Sequence, residues 1–218
     1  MLSYLLIFIL TFFIKLNSFF YFQNSIRPFT IMINPAGDAK DAGRVLNDSF
    51  ERGITLQFAQ ELKKELEKNF KNIRVVLTRI PGESLEHLQN ANFSNRLDAD
   101  FYFSVHFYKE KETISKLYLF HYLNDSFSSQ SISPLNFYQY DNAHLLNISK
   151  TLQYINDFKK TLSNKIDKFI FKNYYGIPFK PLIGIKAPAI AMEAGLKNSN
   201  DWQNLIIPII EAFRLIIP

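Results

Sequence analysis

The chain has 218 residues, of which 47% are hydrophobic and 21% charged, so it can form one domain with a full core and is too apolar for a disordered chain. It contains no cysteine, which excludes disulfides and thiolate chemistry. The net charge of +5 favours anionic surroundings such as membrane headgroups or an acidic cell-wall polymer. Nucleic acid is disfavoured as a partner, because no nucleic-acid-binding motif accompanies the lysines.

The first 22 residues form a separate apolar segment. Residues 4–14 are apolar apart from Thr11, and residues 16–22 are again mostly apolar after Lys15. The first run is too short to cross a bilayer but is typical of the hydrophobic region of a signal peptide, with Ser18 as the cleavage-site candidate. If this segment is retained, it would act as an N-terminal membrane anchor. We therefore expect an exported chain, and a buried core helix is the competing interpretation.

From residue 29 onward, β-like runs alternate with helical patterns, which is typical of a layered α/β domain. Strands are predicted at residues 29–34, 73–78, 101–106, 116–123 and 189–193. Helices are predicted at residues 50–69, 85–97, 145–172 and 201–216, with Pro208 expected to kink the last one or to mark a restart at its own position. Residues 124–142 are polar and rich in serine, which predicts a long loop. No linker divides the sequence, so we expect a single α/β domain over residues 29–218.

Polar side chains that could carry chemistry lie near the predicted strand ends. His106 ends the third strand, Glu193 ends the strand near the C-terminus, and Glu51 begins a helix after the loop at residues 35–45. Open α/β sheets place ligands at the carboxyl ends of their strands. An imidazole and a carboxylate as ligands, with a second carboxylate as base, make up most of a hydrolytic zinc site.

Each of these residues also has a purely structural interpretation. Residues 48–51 fit a capping box, in which Glu51 would bind a backbone N–H at the start of the helix. His106 could be a partly buried polar residue, and Glu193 could cap the turn at residues 195–198. The remaining histidines have no spacing that singles them out; they are His87, His121 and His144.

Six short motifs follow one another in a distinctive order. They are an N-P-A-G-D-A-K-D-A-G loop at residues 34–43, Glu51 at a helix start, V-V-L-T-R at 75–79, A-N at 91–92, A-D-F-Y-F-S-V-H at 99–106, and P-A-I-A-M-E-A-G-L-K-N at 188–198. In this order they resemble the N-acetylmuramoyl-L-alanine amidase family of bacterial cell-wall hydrolases. The resemblance extends from about residue 29 to the C-terminus. It implies a mixed sheet flanked by helices.

The resemblance also implies roles for particular residues. In that family two histidines and a glutamate bind zinc, and a second glutamate acts as the catalytic base. Glu51 and His106 would therefore be zinc ligands and Glu193 the base. The position of the first ligand histidine is occupied by Gly37, which has no side chain. Asp38, next to it, is a further candidate metal ligand.

The expected function is zinc-dependent cleavage of the amide between N-acetylmuramic acid and L-alanine, with peptidoglycan as the partner. The glycine at the ligand position leaves an alternative, a degenerate amidase domain that binds peptidoglycan or regulates a hydrolase. A third hypothesis is a membrane-anchored structural protein that shares only the fold. The expected location is the periplasm or cell envelope, with anchoring to the inner membrane if the N-terminal segment is retained.

Overall fold

The computed structural model describes residues 27–84, 86–124, 139–164 and 168–218. The predicted signal peptide or anchor at residues 1–22, and most of the predicted loop at residues 124–142, lie outside the described residues. In the described ranges, no helix is both long enough and apolar enough to cross a membrane.

The centre of the molecule is a six-stranded sheet with the strand order β4-β1-β5-β8-β6-β7. Its strands are β1 (Phe29–Pro35), β4 (Ile73–Leu77), β5 (Phe101–Lys109), β6 (Ser115–Tyr122), β7 (Phe169–Ile177) and β8 (Ala189–Leu196). All neighbouring pairs are parallel except β6 and β8, which are antiparallel. A short hairpin of β2 (Val45–Leu46) and β3 (Ser49–Phe50) precedes the first helix. The predicted mixed α/β fold is confirmed.

Helices cover both faces of this sheet. They are α1 (Glu51–Asn69), α2 (His87–Arg96), α3 (Ile148–Leu162) and α4 (Gln203–Phe213), with 3-10 segments at Tyr140–Asn147 and Lys180–Leu182. The larger core cluster lies on the face covered by α1, α3 and α4. In α1, the buried residues recur every four positions at Ile54, Phe58, Leu62 and Leu66, as the helical period requires. The smaller cluster lies on the opposite face and includes Met32, Tyr102 and Leu182.

One predicted element was wrong in its length and partly in its type. The helix predicted at residues 145–172 is α3 alone, and its C-terminal part is the strand β7. Phe169 fits the helical spacing of the preceding apolar residues, but the run from Phe169 to Tyr175 is rich in aromatic residues, which favour strands. Pro208 lies inside α4, and the helix continues past it. The alternative expectation, that a new helix begins at Pro208, is therefore wrong.

The edge strand β7 carries an irregularity in its pairing with β6. Leu117 pairs with Phe171, but Tyr118 pairs with Asn173, so Lys172 is an extra residue on β7. A bulge of this kind changes which face of the sheet the following residues occupy. Beyond the bulge, Tyr175 lies beside Phe120.

Candidate active site

A cleft of about 450 Å³ lies at the carboxyl ends of β1 and β5. Its wall is formed by the loop after β1, the start of α1, the end of β4 and residues 178–181. The polar and aromatic side chains that line it are Asn34, Asp38, Asp41, Glu51, Thr78, Arg79, Asn90, His106, Phe179 and Lys180. This is the edge of the sheet where parallel α/β folds bind ligands.

Glu51 and His106 lie against each other in this cleft, with 3.6 Å between His106 Nδ1 and Glu51 Oε1. Glu51 is only 4% exposed. Its Oε1 accepts the N–H of Phe107 at 3.0 Å, and its Oε2 accepts the N–H of Arg44 at 3.0 Å. Burial alone would raise the pKa of Glu51, but the contact with His106 and these two N–H groups outweigh it and hold that pKa below its ordinary value. The carboxylate is therefore ionised and fixed in orientation.

The capping-box interpretation of Glu51 is wrong. Helix α1 begins at Glu51 itself, and the residue at its N-cap is Phe50, whose side chain makes no capping hydrogen bond. Asp48 instead accepts a hydrogen bond from Ser199 at 2.5 Å. The Glu51 carboxylate reaches across to the backbone of β5, so its role is to join α1 to the strand that carries His106.

A chain of buried polar side chains orients the ring of His106. Nε2 lies 2.9 Å from Ser104 Oγ, which accepts the side-chain N–H of Asn34 at 3.0 Å. Asn34 Oδ1 in turn accepts the hydroxyl of Thr78 at 2.9 Å. The ring also packs edge-on against Phe179, with 4.9 Å between centroids. With Nε2 committed to this network, Nδ1 is the nitrogen that faces Glu51.

Glu193 lies beside His106 because the two residues are register partners on the parallel strands β8 and β5. Its Oε1 is 2.5 Å from the guanidinium nitrogen Nη1 of Arg44. Arg44 thus contacts both candidate glutamates, Glu51 through its backbone N–H and Glu193 through its side chain. The interpretation of Glu193 as a cap for the turn at residues 195–198 is wrong, because the N–H of Asn198 is bound by Asp201.

The loop after β1 forms the other side of the cleft, which we call the loop half. Gly37 has a φ of +71°, and a Cβ placed on it would lie 2.7 Å from the Cβ of Arg52. The backbone conformation of Gly37 and the neighbouring Arg52 therefore leave no room for a side chain at the position of the first ligand histidine. Asp38 lines the cleft, but its Oδ1 accepts the N–H groups of Lys40 and Asp41, both at 2.7 Å.

The cleft residues fit a zinc site in part. Zinc bound tetrahedrally at about 2.0–2.2 Å holds a nitrogen and an oxygen ligand about 3.4 Å apart, which is close to the separation of His106 Nδ1 and Glu51 Oε1. A catalytic zinc normally takes three protein ligands. In the part of the chain that the structure describes, no group of three or more His, Cys, Asp or Glu side chains could hold a metal. Glu51 and His106 remain predictions as two of the ligands, and Asp38 remains a prediction as a third.

Two of the other histidines, His121 and His144, do not join this pair. His144 is buried against the ring of Tyr122, with 4.8 Å between centroids. His121 is buried on β6, with its ring tilted against Tyr174. His87 is the first residue of α2. His121 and His144 are therefore packed residues, as their lack of motif spacing indicated.

Sequence reasoning missed three residues that shape the site. Arg44 was not singled out, although it precedes the helix that carries Glu51. Ser104 belongs to the A-D-F-Y-F-S-V-H motif but was assigned no role. Because it lies two residues before His106 on a strand, both side chains are on the same face of the sheet. Arg79 also stood in a motif, and its buried guanidinium donates to the carbonyl groups of Pro35, Ala36 and Arg52, which fixes the loop after β1.

Comparison with known proteins points to one family. The family described as N-acetylmuramoyl-L-alanine amidase matches residues 31–207 of this chain. A curated relative, the N-acetylmuramoyl-L-alanine amidase CwlM of Bacillus licheniformis, is 32% identical over 76 residues. That match covers 35% of this chain and spans only 30% of the length of the relative.

Solved structures share the fold. The catalytic domain of CwlV from Bacillus (Paenibacillus) polymyxa superposes with a TM-score of 0.63 at 18% identity, covering 87% of this chain and 99% of that one. The amidase AmiC2 of Nostoc punctiforme gives a TM-score of 0.61 at 18% identity, covering 86% and 95%. An amidase from Clostridium difficile 630 gives 0.57 at 22% identity, covering 87% and 96%.

Proposed function

The chain belongs to the N-acetylmuramoyl-L-alanine amidase family, and from that premise we propose that it hydrolyses the amide between N-acetylmuramic acid and L-alanine in peptidoglycan. The observation that carries the proposal is the convergence of Glu51, His106 and Glu193 at one end of the sheet. These three residues come from separate parts of the sequence, and each occupies the position in its motif that the resemblance assigned to it. A purely structural domain would not require this arrangement.

Glu51 and His106 would hold the zinc ion of this reaction, with Asp38, which also lines the cleft, as a candidate for a further ligand. When bound, zinc polarises a carbonyl oxygen and lowers the pKa of a water molecule. Glu193 would act as general base toward the attacking water and then as general acid toward the leaving amine. The side chain of Arg44 contacts the Glu193 carboxylate and would hold it in orientation. The chain from Ser104 through Asn34 to Thr78 keeps His106 in one orientation.

The proposal is tested by zinc content and amide hydrolysis measured on the same preparations of the full chain. We expect the wild type to bind one zinc and to release stem peptides from purified muropeptides. Glu193→Gln should keep the zinc and lose hydrolysis, whereas His106→Ala should lose both. A wild-type chain that takes up zinc but releases no peptide would contradict the proposal.

A degenerate amidase domain that binds peptidoglycan or regulates a hydrolase is the second candidate. The observation that favours it is Gly37, whose backbone conformation and contact with Arg52 exclude a ligand side chain at that position. On this alternative, wild type and Glu193→Gln would sediment equally with sacculi, and neither would release peptide. Release of peptide by the wild type but not by Glu193→Gln would contradict it.

We also propose that the chain works outside the cytoplasm, in the periplasm or cell envelope. The substrate of the proposed reaction lies there, and the apolar segment at residues 1–22 is typical of a signal peptide or membrane anchor. Fractionation of cells, with the mass of the mature N-terminus, tests this and decides between cleavage and anchoring. A chain found only in the cytoplasmic fraction would contradict it.

A further inference from the structure

Four aromatic side chains form a continuous group on the cleft side of the sheet, which we call the aromatic platform. Its members are Tyr118 and Phe120 on β6, Tyr175 on β7, and Phe179 next to the 3-10 segment Lys180–Leu182. Phe120 is the centre of the group, with its ring centroid 6.5 Å from Tyr118, 6.1 Å from Tyr175 and 5.7 Å from Phe179. The planes of these pairs differ by 27–33°, so the four rings have a common orientation.

The aromatic platform remains accessible. Tyr175 is 45% exposed, and the other three side chains are half-buried. Phe120 and Phe179 also pack against the smaller core cluster, whereas Tyr118 and Tyr175 belong to neither cluster. Contiguous apolar surface left open in this way marks an interaction site.

The platform is continuous with the candidate active site at two points. The ring of Phe179 lies 4.9 Å from the imidazole of His106, and Phe179 lines the cleft. Tyr118 is the register partner of Glu193 on the neighbouring strand. A substrate whose reacting bond lies between His106 and Glu193 therefore has the platform on one side.

The two sides of the cleft differ in the chemistry of their lining. The platform side presents four uncharged rings, with Lys180 beside Phe179 and Glu193 beside Tyr118 at its borders, whereas the loop side is lined by Asp38, Asp41 and Arg79. The substrate of the proposed reaction has the same asymmetry. Its sugar is uncharged at the scissile bond, because the carboxyl of muramic acid is consumed in the amide, whereas the released peptide bears ionisable groups. The uncharged half fits the aromatic side.

We propose that the aromatic platform binds the glycan strand of peptidoglycan, with the sugar that carries the amide at Phe179 and its neighbour along the strand toward Tyr175. The C–H groups on the face of a pyranose ring are attracted by the negative faces of aromatic rings, and tyrosine hydroxyls can bond the sugar hydroxyls. This inference rests on the proposed function for the identity of the substrate. It adds a recognition surface for the sugar that does not depend on the metal.

The test measures binding of two metal-independent probes, chitotetraose and peptide-free glycan strands, to the full chain by calorimetry. We expect Tyr175→Ala and Tyr118→Ala each to weaken binding about tenfold, which is the size of one aromatic contact. Tyr175→Phe keeps the ring and should bind within about twofold of the wild type. Ile170→Ala is the matched control, because Ile170 is similarly exposed at 42% and lies on the same strand outside the platform.

Failure of this inference is distinguishable from failure of the proposed function. If the wild type binds glycan and the alanine variants lose it while no muropeptide is hydrolysed, the platform stands and the enzymatic proposal falls. If hydrolysis is present but both alanine variants bind glycan as the wild type does, the platform is not the glycan site. Displacement of chitotetraose by a free stem peptide would also overturn the inference, because the peptide would then be the occupant.

Discussion

The two halves of the cleft differ in how their side chains are positioned. His106 and Glu193 are held by strand register, and Glu51 is held by the backbone N–H groups of Phe107 on β5 and Arg44 in the loop before β2. The loop half carries Gly37 in a left-handed conformation and Asp38 in a local turn. The difference shows that the candidate residues on and beside the sheet lie close together, whereas the predicted ligand position in the loop has no side chain and no room for one.

The largest effect is expected from removing the carboxylate that joins the helix to the sheet. Glu51→Ala should lower the free energy of unfolding by about 3 kcal/mol, because two N–H groups lose an ionised acceptor. Urea denaturation of the zinc-free chain measures this. Glu193→Ala should cost less than about 1 kcal/mol, because its partner Arg44 is half-exposed. Equal costs for the two variants would contradict a special contribution of the two N–H groups that Glu51 binds.

Gly37→His tests whether the loop half can accommodate a histidine that acts as a metal ligand. We expect a loss of about 2 kcal/mol in the free energy of unfolding, from the left-handed φ and the contact with Arg52. Gly82→Ala is the control, because Gly82 has a φ of +85° with nothing within 4 Å of an added Cβ; it should show the backbone cost alone. A Gly37→His chain as stable as the wild type and with tighter zinc binding would show that the loop half is not closed to a ligand.

A smaller effect is expected from the side chain behind His106. Ser104→Ala should cost about 1 kcal/mol in stability and weaken zinc binding about tenfold, because the ring nitrogen Nε2 loses its partner. Isothermal titration with zinc measures the second effect. Ser94→Ala is the control, since Ser94 is also buried but its Oγ has no hydrogen-bond partner within the described residues. Equal zinc affinity in the two variants would contradict a positioning role for Ser104.

The smallest change in stability is expected from replacing Arg44, which contacts Glu193. Arg44→Met should alter the free energy of unfolding by less than about 1 kcal/mol, because the side chain is half-exposed. Hydrolysis of muropeptides should nevertheless fall about tenfold, since Glu193 loses the contact that orients it. Arg44→Lys, which retains the charge, should recover part of this loss. Unchanged hydrolysis in Arg44→Met would show that the sheet alone positions Glu193.

Much of the fold and the strand-borne part of the site could be predicted from the sequence. The β-like runs in the sequence predicted β1, β4, β5, β6 and β8. The order of the motifs predicted that Glu51 and His106 lie in the same site. The sequence could not reveal β7, because Phe169 continues a helical spacing by coincidence. It could not reveal the pairing of Arg44 with Glu193 either, since that contact depends on how the hairpin of β2 and β3 turns toward β8.

The extra residue in the edge strand has a consequence for how the surface of this protein can vary. If Lys172 were not accommodated as a bulge, the regular ladder would place Tyr174 beside Phe120 and turn Tyr175 to the opposite face. A length change of one residue would therefore exchange two adjacent tyrosines between the outside and the interior. Because β7 has a single neighbour in the sheet, such an insertion or deletion could retune the outer surface without moving the strands that carry His106 and Glu193.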